Sequence, residues 1–333
     1  MVSRKEIENI IENIISSSDK KIIIKCKPPI DENAFNNLHS NEEIAEFFGL
    51  EYLPKGRPDL SDDEKNWANE SIAFYDKRNH VLLNFLTHED RRIKSLDFTN
   101  NHSDDSDDNY LANLKDVIRA YYEAPYVLKK GLWLMQFERG YDLEKAGECD
   151  MYGVTMYNAS LWGGGVEETM YHEMAHALSF QNIDWRNGEK IDRDTLPKPL
   201  SDMWSEATQK DYEFQEQHNL PHQDTSDYGE TNQHEDFAEM GAVVAGKMVK
   251  APYNHLSNGY AIYKDDPTRS SGREFDHYQS LDEIIEANPH RAELMKDLMK
   301  NGKNVDIENK REYMNNMYQQ LSDDYGEELK ETW

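Results

Sequence analysis

The sequence predicts an α+β protein with a small mixed sheet, a central helix bearing a His-Glu-x-x-His pattern and a mainly helical C-terminal part, preceded by an α/β or α-rich N-terminal region. Three observations predict it. Strand-like runs from Leu132 to Phe137 and from Met151 to Leu161 are followed by Gly163, Gly164 and Gly165, and then by a helix from Val166 to about Phe180. Beyond residue 280 the pattern is helical, with Pro289 suited to the first position of a helix covering His290 to Lys300. Finally, Asn100 to Asn109 (NNHSDDSDDN) is acidic and lacks apolar residues, which marks a linker between an N-terminal region, residues 1–110, and a domain spanning 111–333.

The elements follow in chain order. Ile7, Ile10, Ile11, Ile14 and Ile15 recur at helical spacing and predict an amphipathic helix over about residues 3–17. Lys21 to Lys25 brackets three isoleucines and reads as a short strand stopped by Pro28 and Pro29. Ser61 with Glu64 is a capping-box signal that predicts a helix through about Lys77. Asp105, Asp107 and Asn109 alternate as in a calcium loop, but Tyr110 stands where that loop needs Gly and Asp116 where it needs Glu, so calcium is not expected. A helix from Tyr110 to Tyr122 leads into the strand pair.

The chain has 333 residues, enough for a sizeable core without staples, and 19 Tyr, 11 Phe and 6 Trp to build it. Its formal charge of -28, from 65 acidic and 37 basic side chains, repels phosphate backbones and anionic lipid, so neither nucleic acid nor membrane insertion is expected. The only cysteines, Cys26 and Cys149, lie far apart and form neither a disulfide framework nor a zinc cluster. The N-terminus lacks the continuous apolar core of a signal peptide, and no run reaches the roughly 18 apolar residues of a membrane span. The chain is therefore expected to be made in the cytosol and, if exported, to leave by a non-classical or specialised route. A monomer is expected.

The chemistry concentrates in Tyr171-His172-Glu173-Met174-Ala175-His176. Residues four apart share one helix face, so His172 and His176 can aim their imidazoles at one zinc ion, one per chain. Glu173 lies beside them, placed to take a proton from water. Met170, Met174, Ala177 and Leu178 form the apolar back of the helix. A catalytic zinc takes three protein ligands, and the longer HExxHxxGxxH pattern fails because Ser179 and Asn182 stand at its last two positions. Candidates for the third ligand are Glu206, Asp227 and the segment Thr231 to Met240. Glu235 is favoured, because a helix with acids at Glu235 and Glu239 can give one to the metal and hold a ligating imidazole with the other. Asn232 and Glu235 also read as a capping box, and His234 is expected to be exposed rather than a ligand.

Tyr228 to Glu239 reads YxxTNxxExFAE, and with the HExxH helix it resembles the gluzincin peptidases of the anthrax lethal factor and Pro-Pro endopeptidase group. The resemblance spans about residues 125 to 300 and implies a zincin-like catalytic domain. It implies Glu235 as third ligand and Tyr228 as the phenol that donates to the developing oxyanion. It also implies a zinc endopeptidase that cuts a protein or peptide substrate. That group often acts as secreted or injected bacterial factors, which points to a toxin or effector role against a host protein. One departure is the long gap from His176 to Glu235, which implies an insertion around Asn187 to Gln223 and leaves specificity open.

Met156, Tyr157, Asn158, Ala159 and Ser160 are expected to form the sheet edge against which an extended peptide pairs. Trp162 and the three glycines read as a turn beside a core aromatic. A zinc hydrolase acting on a non-peptide substrate and an inactive zincin-fold binding module are the alternatives. The peptide-pairing edge and Tyr228 argue against the first, the intact ligands and base against the second.

Overall fold

The computed structural model describes residues 30–53, 68–88, 114–139, 146–149, 153–157, 166–179, 196–198, 200–220, 223–226, 228–249, 260–265 and 273–301. The elements expected at 3–17 and 21–25, the acidic stretch 100–109, Trp162 and the three glycines lie outside them. The chain divides into two compact units, residues 1–37 and 38–333. In the first, helix α1 (Glu32–Asn36) is capped by Asp31, whose carboxylate accepts from the Asn33 and Ala34 amides.

The second unit opens with α2 (Asn41–Phe48), started by a Ser40–Glu43 capping box and stopped at Gly49, whose φ of 68° favours glycine. Strands β1 (Glu51–Leu53), β2 (Ala68–Asp76) and β3 (Val81–His88) follow. Then come α3 (Leu114–Glu123), α4 (Tyr126–Lys130), β4 (Leu134–Arg139), β5 (Gly147–Cys149) and β6 (Gly153–Tyr157). Helix α5 (Val166–Ser179) carries the HExxH pattern, and α6 (Leu200–Gln217) and α7 (Gln233–Met248) succeed it. A small antiparallel pair, β7 (Tyr260–Asp265) with β8 (Arg273–Gln279), precedes α8 (Leu281–Ala287) and α9 (Pro289–Asn301).

Six strands form one mixed sheet in the order β1-β2-β3-β4-β6-β5. The central pairs β3/β4 and β4/β6 are parallel, and the remaining pairs are antiparallel. The architecture is thus α+β, with helices packed on a mixed sheet.

Two expectations are corrected. Residues 68–76 form β2 instead of continuing a helix to Lys77, because Ile72 and Phe74 bury themselves in the sheet while the whole segment pairs along β3. The cap signal itself, at Ser61 and Glu64, lies outside the described residues. The hairpin between β2 and β3 is closed by Asp76, whose carboxylate accepts from the Arg78 and Asn79 amides, and by His80 at a φ of 54°. The boundary expected at residue 110 also falls within one sheet, since β3 pairs with β4 from Leu82–Leu134 to Thr87–Arg139. Phe85 and Phe137 stack across that seam with ring centroids 4.5 Å apart, so both sides share one core.

Helix α5 is the hub of the site. It packs on β5 and β6, on α3 and α4, and most extensively on α7. That last contact is close: a Cβ placed on Gly241 would lie 2.4 Å from the Ala175 Cβ, so only glycine lets the two helices approach as they do.

Candidate metal centre

One turn apart on α5, His172 and His176 are both buried at 7% exposure, while Met170, Met174, Ala177 and Leu178 hold the back of the helix in the core. Asn232 caps α7 by accepting from the His234 and Glu235 amides, which fixes where the first turn begins. The Glu235 side chain does not close the expected capping box but turns toward α5. Its Oε2 lies 3.1 Å from His172 Nε2 and 3.2 Å from His176 Nε2, and the two Nε2 atoms are 3.0 Å apart.

This triangle of donor atoms is the one group of three His, Cys, Asp or Glu among the described residues that could hold a metal ion. Its fit can be tested. Ligands at about 2.0–2.1 Å in a tetrahedral arrangement sit roughly 3.3 Å from one another, and the three edges here fall just inside that value. His172 Nδ1–H donates to Glu239 Oε1 at 2.7 Å, which leaves its Nε2 lone pair facing the triangle. His176 Nδ1 is buried with no hydrogen-bond partner among the described residues.

Burial opposes a charged His172, but hydrogen bonds to Glu235 and Glu239 hold its pKa well above the ordinary histidine range. Burial would raise the Glu235 carboxyl, yet its bonds to His172 and His176 hold it well below the usual carboxylate range. Glu168, one turn before His172, is pushed up to about 8 by burial and by the Glu239 charge, against the pull of His172. Burial also raises Glu173, although both imidazoles pull it down. Four carboxyl groups thus crowd two imidazoles, an arrangement that a divalent cation at the triangle offsets.

Glu173 is buried at 6% exposure and lies under β5, where a Cβ on Gly147 would come within 2.8 Å of its Oε1. Tyr228 immediately precedes the short 3₁₀ turn Gly229–Thr231, is 36% exposed, and places its ring centroid 5.8 Å from that of His172. The structure therefore brings His172, Glu173, His176, Tyr228, Glu235 and Glu239 together.

Other expected residues are placed differently. Glu206 is exposed on α6 and bonded to Lys210 Nζ at 2.7 Å, remote in role from the triangle. His234 is not exposed but buried at 4%: the Ser179 hydroxyl donates to the His176 carbonyl and takes the His234 Nε2–H at 2.6 Å, while the His234 ring abuts that of His176. Met156 and Tyr157 are not at the sheet edge. They lie on β6, buried between β4 and β5, and the Tyr157 amide donates to the Ala146 carbonyl. The edge on that side is β5, where Tyr157 OH donates to Glu148. Asp227, Asn158, Ala159 and Ser160 lie outside the described residues.

Sequence reasoning missed several residues that build the site. Ser226 Oγ donates to Glu239 Oε2 at 2.5 Å. Arg291, fully buried, binds Asp211, Asp224 and Asp236 and so ties α6, α7 and α9 together behind the site. Only Arg291 carried a signal, a charged residue among the apolar positions of a core helix. Within the described residues no helix is long and apolar enough to cross a membrane. In comparisons with known proteins, the chain matches no family model, no curated protein and no solved structure.

Proposed function

We propose that this protein is a zinc-dependent endopeptidase of gluzincin type, with His172, His176 and Glu235 as metal ligands. The observation that carries the reading is the convergence of His172 Nε2, His176 Nε2 and Glu235 Oε2 within 3.0–3.2 Å of one another, beside the buried Glu173. Two imidazoles and one carboxylate are a donor set that suits zinc and leaves a fourth position for water or substrate. Zinc held there would supply Lewis acidity, making a water acidic near neutral pH and polarising a carbonyl.

The chain's own groups account for the remaining roles. Glu173, whose carboxyl burial raises above its ordinary value, is the base: it takes the proton of the attacking water and returns it to the leaving amine. Glu239 fixes the ring and tautomer of His172. Tyr228, whose ring lies across from that of His172, is the phenol that would donate to oxygen as negative charge builds there. An extended peptide would pair its backbone at β5, the last strand in the sheet order on that side. Because Gly147 approaches Glu173 without a side chain between them, a strand paired there lies next to the base.

Elemental analysis and proteomics test this together. The wild-type protein should carry one zinc per chain, lost in His172→Ala and Glu235→Ala but kept in Glu173→Ala. New N-termini mapped by mass spectrometry after incubation with a cell lysate should vanish in all three variants. A wild-type chain that takes up no zinc, or a Glu173→Ala variant that cuts as well as the wild type, would overturn the reading.

A further inference from the structure

We infer that Ser226 is a positioning residue whose single hydroxyl couples the loop bearing Tyr228 to the metal site, an inference that rests on the metal reading above. Ser226 is 9% exposed. Its Oγ donates to Glu239 Oε2 at 2.5 Å and accepts from the Gly229 amide at 3.0 Å. Glu239 Oε1 in turn accepts from His172 Nδ1 at 2.7 Å. An unbroken chain thus runs from the Gly229 amide through Ser226 and Glu239 to His172, whose Nε2 is a corner of the donor triangle.

The directions along this chain are fixed by chemistry. A backbone N–H can only donate and an ionised carboxylate can only accept, so the hydroxyl proton of Ser226 must point to Glu239. The same turn carries Tyr228. The Ser226 carbonyl accepts from the Glu230 amide at 3.2 Å, and the Tyr228 carbonyl from the Thr231 amide at 3.1 Å. One residue earlier, the Thr225 amide and hydroxyl both bond Asp236 Oδ1, at 3.0 and 2.8 Å. Asp236 and Glu239 stand three apart on α7, so one face of that helix holds two consecutive loop residues. A shift of the loop therefore moves Glu239, and through it the ring of His172.

A hydroxyl meets these demands. Alanine removes the donor to Glu239 and the acceptor for Gly229, aspartate would set a second negative charge against Glu239, and threonine keeps the hydroxyl.

The test uses full-length protein, stripped of metal and titrated with Zn²⁺ against a chromophoric chelator, then loaded with Co²⁺ to record its visible absorption bands. Ser226→Ala should bind zinc about tenfold more weakly and shift the cobalt bands, the low end of what outer partners of a ligating histidine contribute, because its bond is to Glu239 and reaches His172 through it. Ser226→Thr should restore both. If Ser226→Ala does not fold, Ser226→Cys serves in its place: a thiol is a weak donor of similar size and must bind zinc more weakly than threonine. Wild-type affinity and bands in the Ala or Cys variant overturn the role of Ser226 alone. Absence of metal uptake by the wild type, or uptake unchanged in His172→Ala, overturns the metal reading and this inference with it.

Discussion

Gly241→Ala should empty the metal site without touching a ligand. Gly241 lies on α7, and an added Cβ would sit 2.4 Å from the Ala175 Cβ on α5. Carbon atoms in good contact are about 3.5 Å apart, so the helices must separate locally by about 1 Å. Ala175 directly precedes His176, and Gly241 lies six residues after Glu235, so the widening acts across the gap that Glu235 Oε2 and His176 Nε2 now bridge at 3.2 Å. Metal–ligand distances tolerate about 0.2 Å, several times less than the displacement. Overpacking of this kind costs about 1–3 kcal/mol, an amount a chain of this size can survive folded. Ala175→Gly is the matching control. With that Cβ gone, the nearest atoms to an alanine at 241 would be Met295 Cε at 3.7 Å and Ala175 Cα at 3.8 Å, ordinary contacts. Zinc affinity by chelator competition, with circular dichroism melts alongside, should show loss in Gly241→Ala and recovery in the double variant. Wild-type affinity in Gly241→Ala, or no recovery in the double variant, would refute the claim that helix spacing sets the site.

Gly147→Ala makes the complementary case: its Cβ would meet Glu173 Oε1 at 2.8 Å and Thr169 Cγ2 at 3.0 Å but no ligand, so metal content should hold while peptide hydrolysis falls about 10²-fold. Unchanged turnover would mean that the base is not where the reaction needs it. Asp76 gives a pH prediction far from the site. Burial would raise its carboxyl, but hydrogen bonds from Asn79, Tyr121 and the turn amides depress it below its ordinary value. A depressed carboxyl contributes stability that is present above its unfolded pKa, about 3.9, and is lost as pH falls through the folded one. Asp76→Asn should therefore melt lower than wild type at pH 6, with the gap closing as pH falls below about 4; a gap that is constant with pH would refute the carboxylate's role.

What the sequence disclosed, and what it concealed, follows from range. The His172/His176 pair and the Glu235/Glu239 pair are each read from spacing within one helix, and the structure brings all four side chains to one place. Helix α9 likewise starts at Pro289, as its first-turn chemistry predicts. Strand β2 was hidden because its state depends on pairing with β3, a partner that local patterning does not reveal. Strand β5 was hidden because three residues, Gly147–Cys149, are too few for alternation, and so the edge was assigned to β6. Ser226, Gly147 and Gly241 matter only through atoms they meet 13, 26 and 66 residues away, at Glu239, Glu173 and Ala175.

For the triangle to hold a metal, helix α7 must deliver a carboxylate to it, so the rotation of that helix about its own axis matters, and the structure constrains that rotation from opposite sides. Glu235 faces the imidazoles, whereas the next residue, Asp236, accepts from Arg291 Nη1 and Trp204 Nε1 at 2.8 and 2.9 Å. A buried ion pair adds little net stability, because desolvation offsets its attraction. A guanidinium, however, donates in fixed directions, and Arg291 uses them on Asp211 of α6, Asp224 of the loop and Asp236 of α7 at once. Turning α7 by one residue's angle, about 100°, would exchange Glu235 for Asp236 and break both sets of bonds together. The buried arginine behind the site and the carboxylate in it are thus two ends of one constraint, which explains why so costly a group sits where a leucine would have packed.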